Sequence, residues 1–304
     1  MNVDDCLPET LRGPATRVTR IPAGLSGAAV YCVEAGDECY VLKVADEPLA
    51  DWRRKLDIQR RAADAGVAPR IVHVDDERRA VVTEFVVDRS FPAYFFDPRT
   101  RDAAIELLGR TLRRVHDVPL PADAPAVTAR ELLAALSGAL SGFSVPAFAA
   151  DAMHHMLAEE PPQRDRIVLS HNDVNPSNVV YDGERLLLLL DWNTSGPNDA
   201  LYDLATISVF LRMDDSTCTK LLAAHDGAPV TALPAAFHYY RRLAAITCGA
   251  AFLHLARTSG HPGHEHVDAV PTLAEFYQRM RAGEVSIATA EGQWAFGLAL
   301  LSAT

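Results

Sequence analysis

A chain of 304 residues is long enough to bury a sizeable core, as one large domain or two modest ones. Its 49% hydrophobic and 23% charged composition is that of an ordinary globular protein. A net charge of −11 presents no basic face to a phosphate backbone, so no nucleic-acid partner is expected; it suits a cationic small molecule, although most acidic surfaces serve only solubility.

The first residues, MNVDDCLPETLRG, carry acids and a proline where a secretion signal would need an apolar core. From about Arg17 to Val87 the pattern is mostly strand-like. Val30–Val33 and Cys39–Val44 are β-rich runs, and Glu34-Ala35-Gly36-Asp37-Glu38 between them reads as a tight hairpin turn. A charged helical stretch from Asp51 to Ala65 follows, stopped by Gly66 and Pro69. Two short strands come next, Arg70–Val74 and Ala80–Phe85.

After Val86 helices take over, with Ile105, Leu108, Leu112 and Val115 at helical spacing. One strand-like interlude breaks this part: Ile167–Leu169, a polar loop, Val179-Val180-Tyr181, the turn pair Asp182-Gly183, and Leu186–Leu190. From Leu201 the chain is helical again. The longest apolar stretch, Leu243 to Ala256, holds His254 and falls short of the roughly 20 residues a bilayer requires, so no membrane association is expected. The five cysteines are odd in number and lack CxxC spacing, which suggests reduced thiols and a cytoplasmic protein. A small strand-rich lobe ahead of a larger helical lobe, joined near Glu84–Asp88, offers a junction where a ligand could sit.

The chemistry concentrates in Ser170-His171-Asn172-Asp173-Val174-Asn175-Pro176-Ser177-Asn178 and the later Asp191-Trp192. Phosphoryl transfer to a hydroxyl needs a carboxylate to accept the proton and oxygen ligands to hold magnesium against the phosphates. If Asp182-Gly183 is the turn centre, paired residues sum to 365, which sets Asp191 opposite Val174 and Asn178 opposite Leu187. Asp173, Asn178 and Asp191 would then line one edge of an apolar hairpin. Each alone reads as a turn former or a cap, but the set at this spacing does not.

The pattern His-x-Asp-x-x-x-x-Asn followed by a strand ending in Asp resembles the catalytic loop and metal aspartate of the aminoglycoside phosphotransferase and choline kinase family. His171-Asn172-Asp173, Asp191-Trp192 and Asp199-Ala-Leu-Tyr-Asp203-Leu-Ala look most like the choline-kinase branch. The resemblance implies an α+β, protein-kinase-like two-lobed fold, with a small antiparallel-sheet N-lobe and a larger, mainly helical C-lobe. It implies a nucleotide-binding lobe at 1–87, a hinge at about 84–90 and a catalytic, acceptor-binding lobe at 88–304. The co-substrates would be ATP and Mg2+. Asp173 would be the catalytic base and Asn178 and Asp191 the metal ligands, with His171 and Asp203 supporting the loop.

In the first lobe, the glycines of Gly24-Leu25-Ser26-Gly27 let backbone amides approach phosphate oxygens. By the resemblance, Lys43 would bind the α- and β-phosphates, and Glu84, Phe85 and Val86 would meet the adenine edge. The family lysine pairs with a glutamate on the next helix; the matching residue is Asp57, with Asp51 and Glu47 as alternatives. Two departures stand out: Gly27-Ala28-Ala29 lacks the polar pair common there, and Asn193 replaces the glutamate of an Asp-Trp-Glu run, which tells against choline itself.

The resulting expectation is a small-molecule kinase with a hydroxyl acceptor, a cation favoured over an anion. Three rivals are an antibiotic-modifying phosphotransferase of the same fold, a protein kinase, and a non-catalytic nucleotide-binding module. No Ala-Pro-Glu ending follows Asp191, which opposes the second, and the complete Lys, Asp, Asn, Asp set opposes the third. The cluster His261, His264, Glu265, His266 fits no common metal site and reads as a solvated loop. The late aromatics, Tyr239 to Phe296, read as core.

Overall fold

The computed structural model describes residues 3–21, 28–124, 128–164, 166–184 and 186–303. Five antiparallel strands open the chain: β1 (Arg17–Ile21), β2 (Ala29–Ala35), β3 (Glu38–Val44), β4 (Ile71–Asp75) and β5 (Ala80–Glu84), in the order β1-β2-β3-β5-β4. The β2–β3 turn is the two residues Gly36-Asp37, since Ala35 pairs with Glu38 and Gly36 takes φ +63°. Strand β1 extends the sheet beyond the hairpins expected, pairing Arg17 to Ile21 with Glu34 to Val30.

Alternation along β3 divides its side chains between two environments. Leu42 and Val44 pack with Cys6, Leu7, Leu11, Val33, Ala80 and Val82 on one face. Lys43, opposite Val81, belongs to the other face, where helix α1 (Leu49–Asp64) lays down Trp52 and Leu56. Ile58 and Ala62 of the same helix enter the main core of the second lobe. Helix α1 therefore bridges the lobes.

That second lobe holds α2 (Phe91–Phe96), α3 (Arg101–His116), α4 (Ala129–Ala139), α5 (Ala147–Ala158), α6 (Ala200–Phe210), α7 (Asp215–Asp226), α8 (Ala235–Thr258), α9 (Leu273–Arg281) and α10 (Ala290–Leu301). Between α5 and α6 run four short strands, β6 (Ile167–Ser170), β7 (Val179–Tyr181), β8 (Leu187–Leu189) and β9 (Gly196–Asp199), paired β6–β9 and β7–β8. No helix among the described residues is long and apolar enough to cross a membrane. The late aromatics are mostly core, with Tyr239, Tyr240, Phe276, Trp294 and Phe296 all buried.

The β7–β8 register differs from the sequence arithmetic. Val179 pairs with Leu189 and Tyr181 with Leu187, three residues displaced from a turn centred on Asp182-Gly183. The Asp182 carboxylate accepts the backbone N–H groups of Glu184 at 2.8 Å and Leu186 at 3.0 Å, which widens the connection to five residues. The consequence reaches the site: Asn178 O accepts from Leu190 N at 2.8 Å, so Asn178 lies opposite the neighbour of Asp191 rather than opposite Leu187.

His264, Glu265 and His266 are exposed, as a solvated loop requires, but His261 departs from that expectation. His261 is buried, stacks on Trp294 at 4.5 Å, accepts from Gly263 N through Nδ1 and reaches Glu291 through Nε2. Its ring nitrogens are occupied by structure, and no group of three or more His, Cys, Asp or Glu converges on a metal position among the described residues.

Candidate active site

Three connections join the sheet to the β7–β8 hairpin. Leu189 N donates to Val67 O, just beyond α1, at 2.8 Å. Asp88 Oδ1 accepts from Tyr181 N at 3.1 Å, and Arg89 N donates to Tyr181 O at 2.7 Å. The chain leaving β5 is thereby laced along β7, which holds the sheet lobe over the loop between β6 and β7.

Within that loop each bend has a side-chain cause. Asn172 takes φ +65°, a left-handed conformation asparagine tolerates, and its amide is held on both sides, donating to Thr194 O and accepting from Asn198 Nδ2. Asn175 caps the short turn Pro176–Asn178 by accepting from Ser177 N at 3.0 Å. The amide groups of Asn175 and Asn178 donate to the two oxygens of Asp173, each at 2.9 Å. Asn178 Nδ2 also reaches Asp173 O at 3.0 Å. Burial pushes the Asp173 carboxyl above the ordinary range and the Asp191 charge adds to this, while His171 and the two asparagine bonds pull the other way.

Asp191, two residues beyond β8, takes φ +59°, an uncommon angle for a residue with a side chain. The neighbouring Trp192 is buried edge-on to the His171 ring at 4.8 Å, with its indole N–H on Leu189 O. His171 Nε2 donates to Leu190 O at 2.9 Å, tying the loop to this turn. Across the cleft, Lys43 Nζ donates to Asp191 Oδ1 at 2.8 Å. Residues 148 positions apart in sequence thus meet as an ion pair.

Lys43 does not meet Asp57. On α1 the side chains turned to Lys43 are Trp52, Lys55, Leu56 and Gln59, whereas Asp57 sits on the outer side, its carboxylate accepting from Arg61 Nε at 2.8 Å one turn on. The alternatives are engaged elsewhere as well, Glu47 with Lys55 and Asp51 with Arg54. At the linker, Val86 N–H has no protein acceptor among the described residues, while Phe85 N donates to Cys39 O at 3.2 Å and Glu84 bonds Arg70. Gly24, Ser26 and Gly27 lie outside the described residues.

Beneath the loop is a support that sequence reasoning found only in part. Asp203, fully buried, accepts from His171 N and Asn172 N at 2.8 Å each and from His116 Nε2 at 3.1 Å. Burial opposes its ionisation, but the His116 bond and the amides prevail and hold it below the usual carboxylate range. His116 Nδ1 in turn meets His225 Nε2 at 2.8 Å, and His225 Nδ1 meets Asp226. His116 carried a readable signal: it follows Leu108 and Leu112 on the apolar stripe of α3, where a polar group must find a buried partner. Nothing local marks His225.

The sequence model of the phosphotransferase enzyme family matches residues 17–246. Among solved structures, a choline/ethanolamine kinase family protein from Mesorhizobium loti superposes with a TM-score of 0.64 at 21% identity, covering 98% of this chain and 96% of that one. An aminoglycoside-3'-phosphotransferase of type VIII does so at 0.60 and 20%, covering 78% and 95%. A spectinomycin phosphotransferase, solved with ADP and spectinomycin, does so at 0.59 and 14%, covering 92% and 93%. At these identities the likeness is one of fold. Comparison with curated protein sequences returns no match.

Proposed function

The chain belongs to the phosphotransferase enzyme family, and from that premise we propose that it transfers the γ-phosphoryl group of ATP to a hydroxyl of a small molecule, with Mg2+. One observation carries this reading: Lys43 and Asp191, far apart in sequence, are bonded to each other, Asn178 is bonded to Asp173, and the Asp191 charge acts on the Asp173 carboxyl, which brings the two pairs together.

Asp173 is the base in this reading. Each of its oxygens receives one asparagine N–H and keeps a lone pair for the acceptor hydroxyl, and a carboxyl raised above the ordinary range holds a proton more readily. The two amides fix the carboxylate's plane, so the attacking oxygen would be aligned before reaction. Val86 N–H is a backbone donor open to an adenine edge, and the linker residues Glu84 and Phe85 flank it. Gly24, Ser26 and Gly27 would cover the phosphates.

The donor set suits magnesium. The second carboxylate oxygen of Asp191 and the amide oxygen of Asn178 are hard ligands, and two protein ligands are what an ion completed by phosphate and water requires. When bound, the ion would neutralise charge on the phosphates. Lys43 and Asp191 are opposite charges that pair with each other here; a nucleotide's phosphates would draw the lysine and its cation the aspartate. Asp57, turned outward, pairs with Arg61 rather than with Lys43.

The test is a coupled ADP-release assay over amino alcohols, aminoglycosides, sugars, nucleosides and hydroxy acids, with and without magnesium. Acceptor-stimulated, magnesium-dependent release that disappears in Asp173→Asn supports the reading. ATP binding without any acceptor-stimulated turnover in the whole panel would refute it in favour of a nucleotide-binding module.

A further inference from the structure

Two buried histidines continue the loop's support outward, and their hydrogens can be counted. His116 on α3 and His225 in the last turn of α7 have side chains only 0% and 3% exposed. Their ring nitrogens make three contacts in line. His116 Nε2 meets Asp203 Oδ2 at 3.1 Å, His116 Nδ1 meets His225 Nε2 at 2.8 Å, and His225 Nδ1 meets Asp226 Oδ1 at 2.7 Å. A carboxylate only accepts, so each contact needs one N–H, and two neutral rings bring two.

One contact of a neutral pair is therefore left without a hydrogen, and burial decides which. Asp203 is fully buried and pinned by the amides of His171 and Asn172, so it cannot turn away from His116. The contact between the rings is enclosed as well. Asp226 is half exposed, and its carboxylate can turn to water. The mismatch falls at that outer end, which sets both tautomers: His225 Nε2–H donates to His116 Nδ1, and His116 Nε2–H donates to Asp203. Burial first, and then the His116 ring, hold His225 below the ordinary histidine range; Asp226 pulls upward and the Arg113 charge downward again.

The close approach of α7 is built into α3. A Cβ at Gly109 would stand 2.6 Å from the Ala224 Cβ and 2.9 Å from His225 N, closer than packed atoms allow. Glycine weakens a helix interior, and here it lies on the buried face that also bears Leu112 and His116. Its place there lets His225 reach the His116 ring. We infer that His225 is a positioning residue for the loop that bears Asp173: the N–H it offers fixes the His116 tautomer that donates to Asp203. Asp203 in turn holds the two amides directly before Asp173. In the other tautomer His116 would turn a lone pair on the Asp203 carboxylate. The inference rests on the phosphotransferase reading only for what Asp173 does.

The test uses the full-length, nucleotide-free protein with 15N-labelled histidines, studied by NMR at about pH 8, above the ordinary histidine value of about 6.5. His116 and His225 should each carry hydrogen on Nε2 alone. In His225→Leu the single His116 tautomer should be lost, and protection of the His171 and Asn172 amides against hydrogen exchange should fall about tenfold, as for one lost buried hydrogen bond. His225→Gln sets an amide N–H near the imidazole Nε2 position and should restore both readouts to within about threefold. With any acceptor that is turned over, kcat should fall about tenfold or more in His225→Leu and recover in His225→Gln, the nucleotide KM staying within a few-fold. Wild-type His116 protonated at Nδ1, alone or together with Nε2, overturns the tautomer assignment. Equal loss of protection in the leucine and glutamine variants, or none in either, overturns the role of the N–H. Loosened amides with unchanged kcat overturn the positioning role. If no acceptor is turned over, the phosphotransferase reading fails, and the tautomer and exchange results still decide whether His225 positions the loop.

Discussion

Replacing Asp203 by asparagine keeps its shape and removes its charge, which isolates what the carboxylate does for the loop. The wild-type group accepts three donors, two backbone amides at 2.8 Å and His116 Nε2 at 3.1 Å, at a site with 0% exposure. An amide has one oxygen. Set at the Oδ2 position it retains His171 N and His116, and its NH2 then opposes Asn172 N–H. Two buried donors, Asn172 N–H and the new NH2, then face each other with no acceptor between them, at about 1–3 kcal/mol or more, and two charge-assisted bonds become neutral, at about 0.5–2 kcal/mol each. Relief from burying a charge offsets part of this, so a net loss of about 2–5 kcal/mol is expected, a large share of a total of about 5–15.

Urea unfolding at neutral pH measures that loss, and its pH dependence tests the cause. The folded-state pKa of Asp203 is lowered, so the carboxylate's contribution is fully present above the unfolded value near 3.9 and fades as pH falls through the folded one. The gap between wild type and variant should therefore narrow in acid. Turnover should fall with it, because Asp173 follows directly on Asn172. A difference under about 0.5 kcal/mol at neutral pH, or one that does not change in acid, would refute this account of the loop's support.

The other expectations concern the cleft. Asp173→Asn should cut turnover by ~10²-fold or more with nucleotide affinity within a few-fold, measured by steady-state kinetics beside nucleotide titration. In Asp191→Ala, magnesium-dependent nucleotide binding should vanish from calorimetry, while Asn178→Ala should be milder and partly rescued by raised magnesium. Lys43→Met should raise the ATP KM and Asp57→Ala should not, and the double variant should be additive within about 0.3–0.5 kcal/mol; measurable coupling would mean that α1 turns when nucleotide binds.

Short-range chemistry was legible before any coordinates. The β2–β3 turn, α1 and the two-lobed plan follow from local periodicity and turn residues, which act over a few positions. The catalytic-loop candidates were equally plain, because Asp173, Asn175 and Asn178 contact one another within five residues. Even there, arithmetic failed where a side chain intervened: the Asp182 carboxylate widened one turn by three residues and drew Asn178 toward Asp191. What tertiary packing alone decided are the pairings between distant elements. Lys43 faces Asp191 and not Asp57 because the rotation of α1, set by Trp52 and Leu56 against the sheet and Ile58 against the other lobe, turns Asp57 to solvent. His116 finds Asp203 for the same reason. A side chain's type states which partner it needs, but the partner's identity depends on how helices and sheet pack, and no local spacing records that.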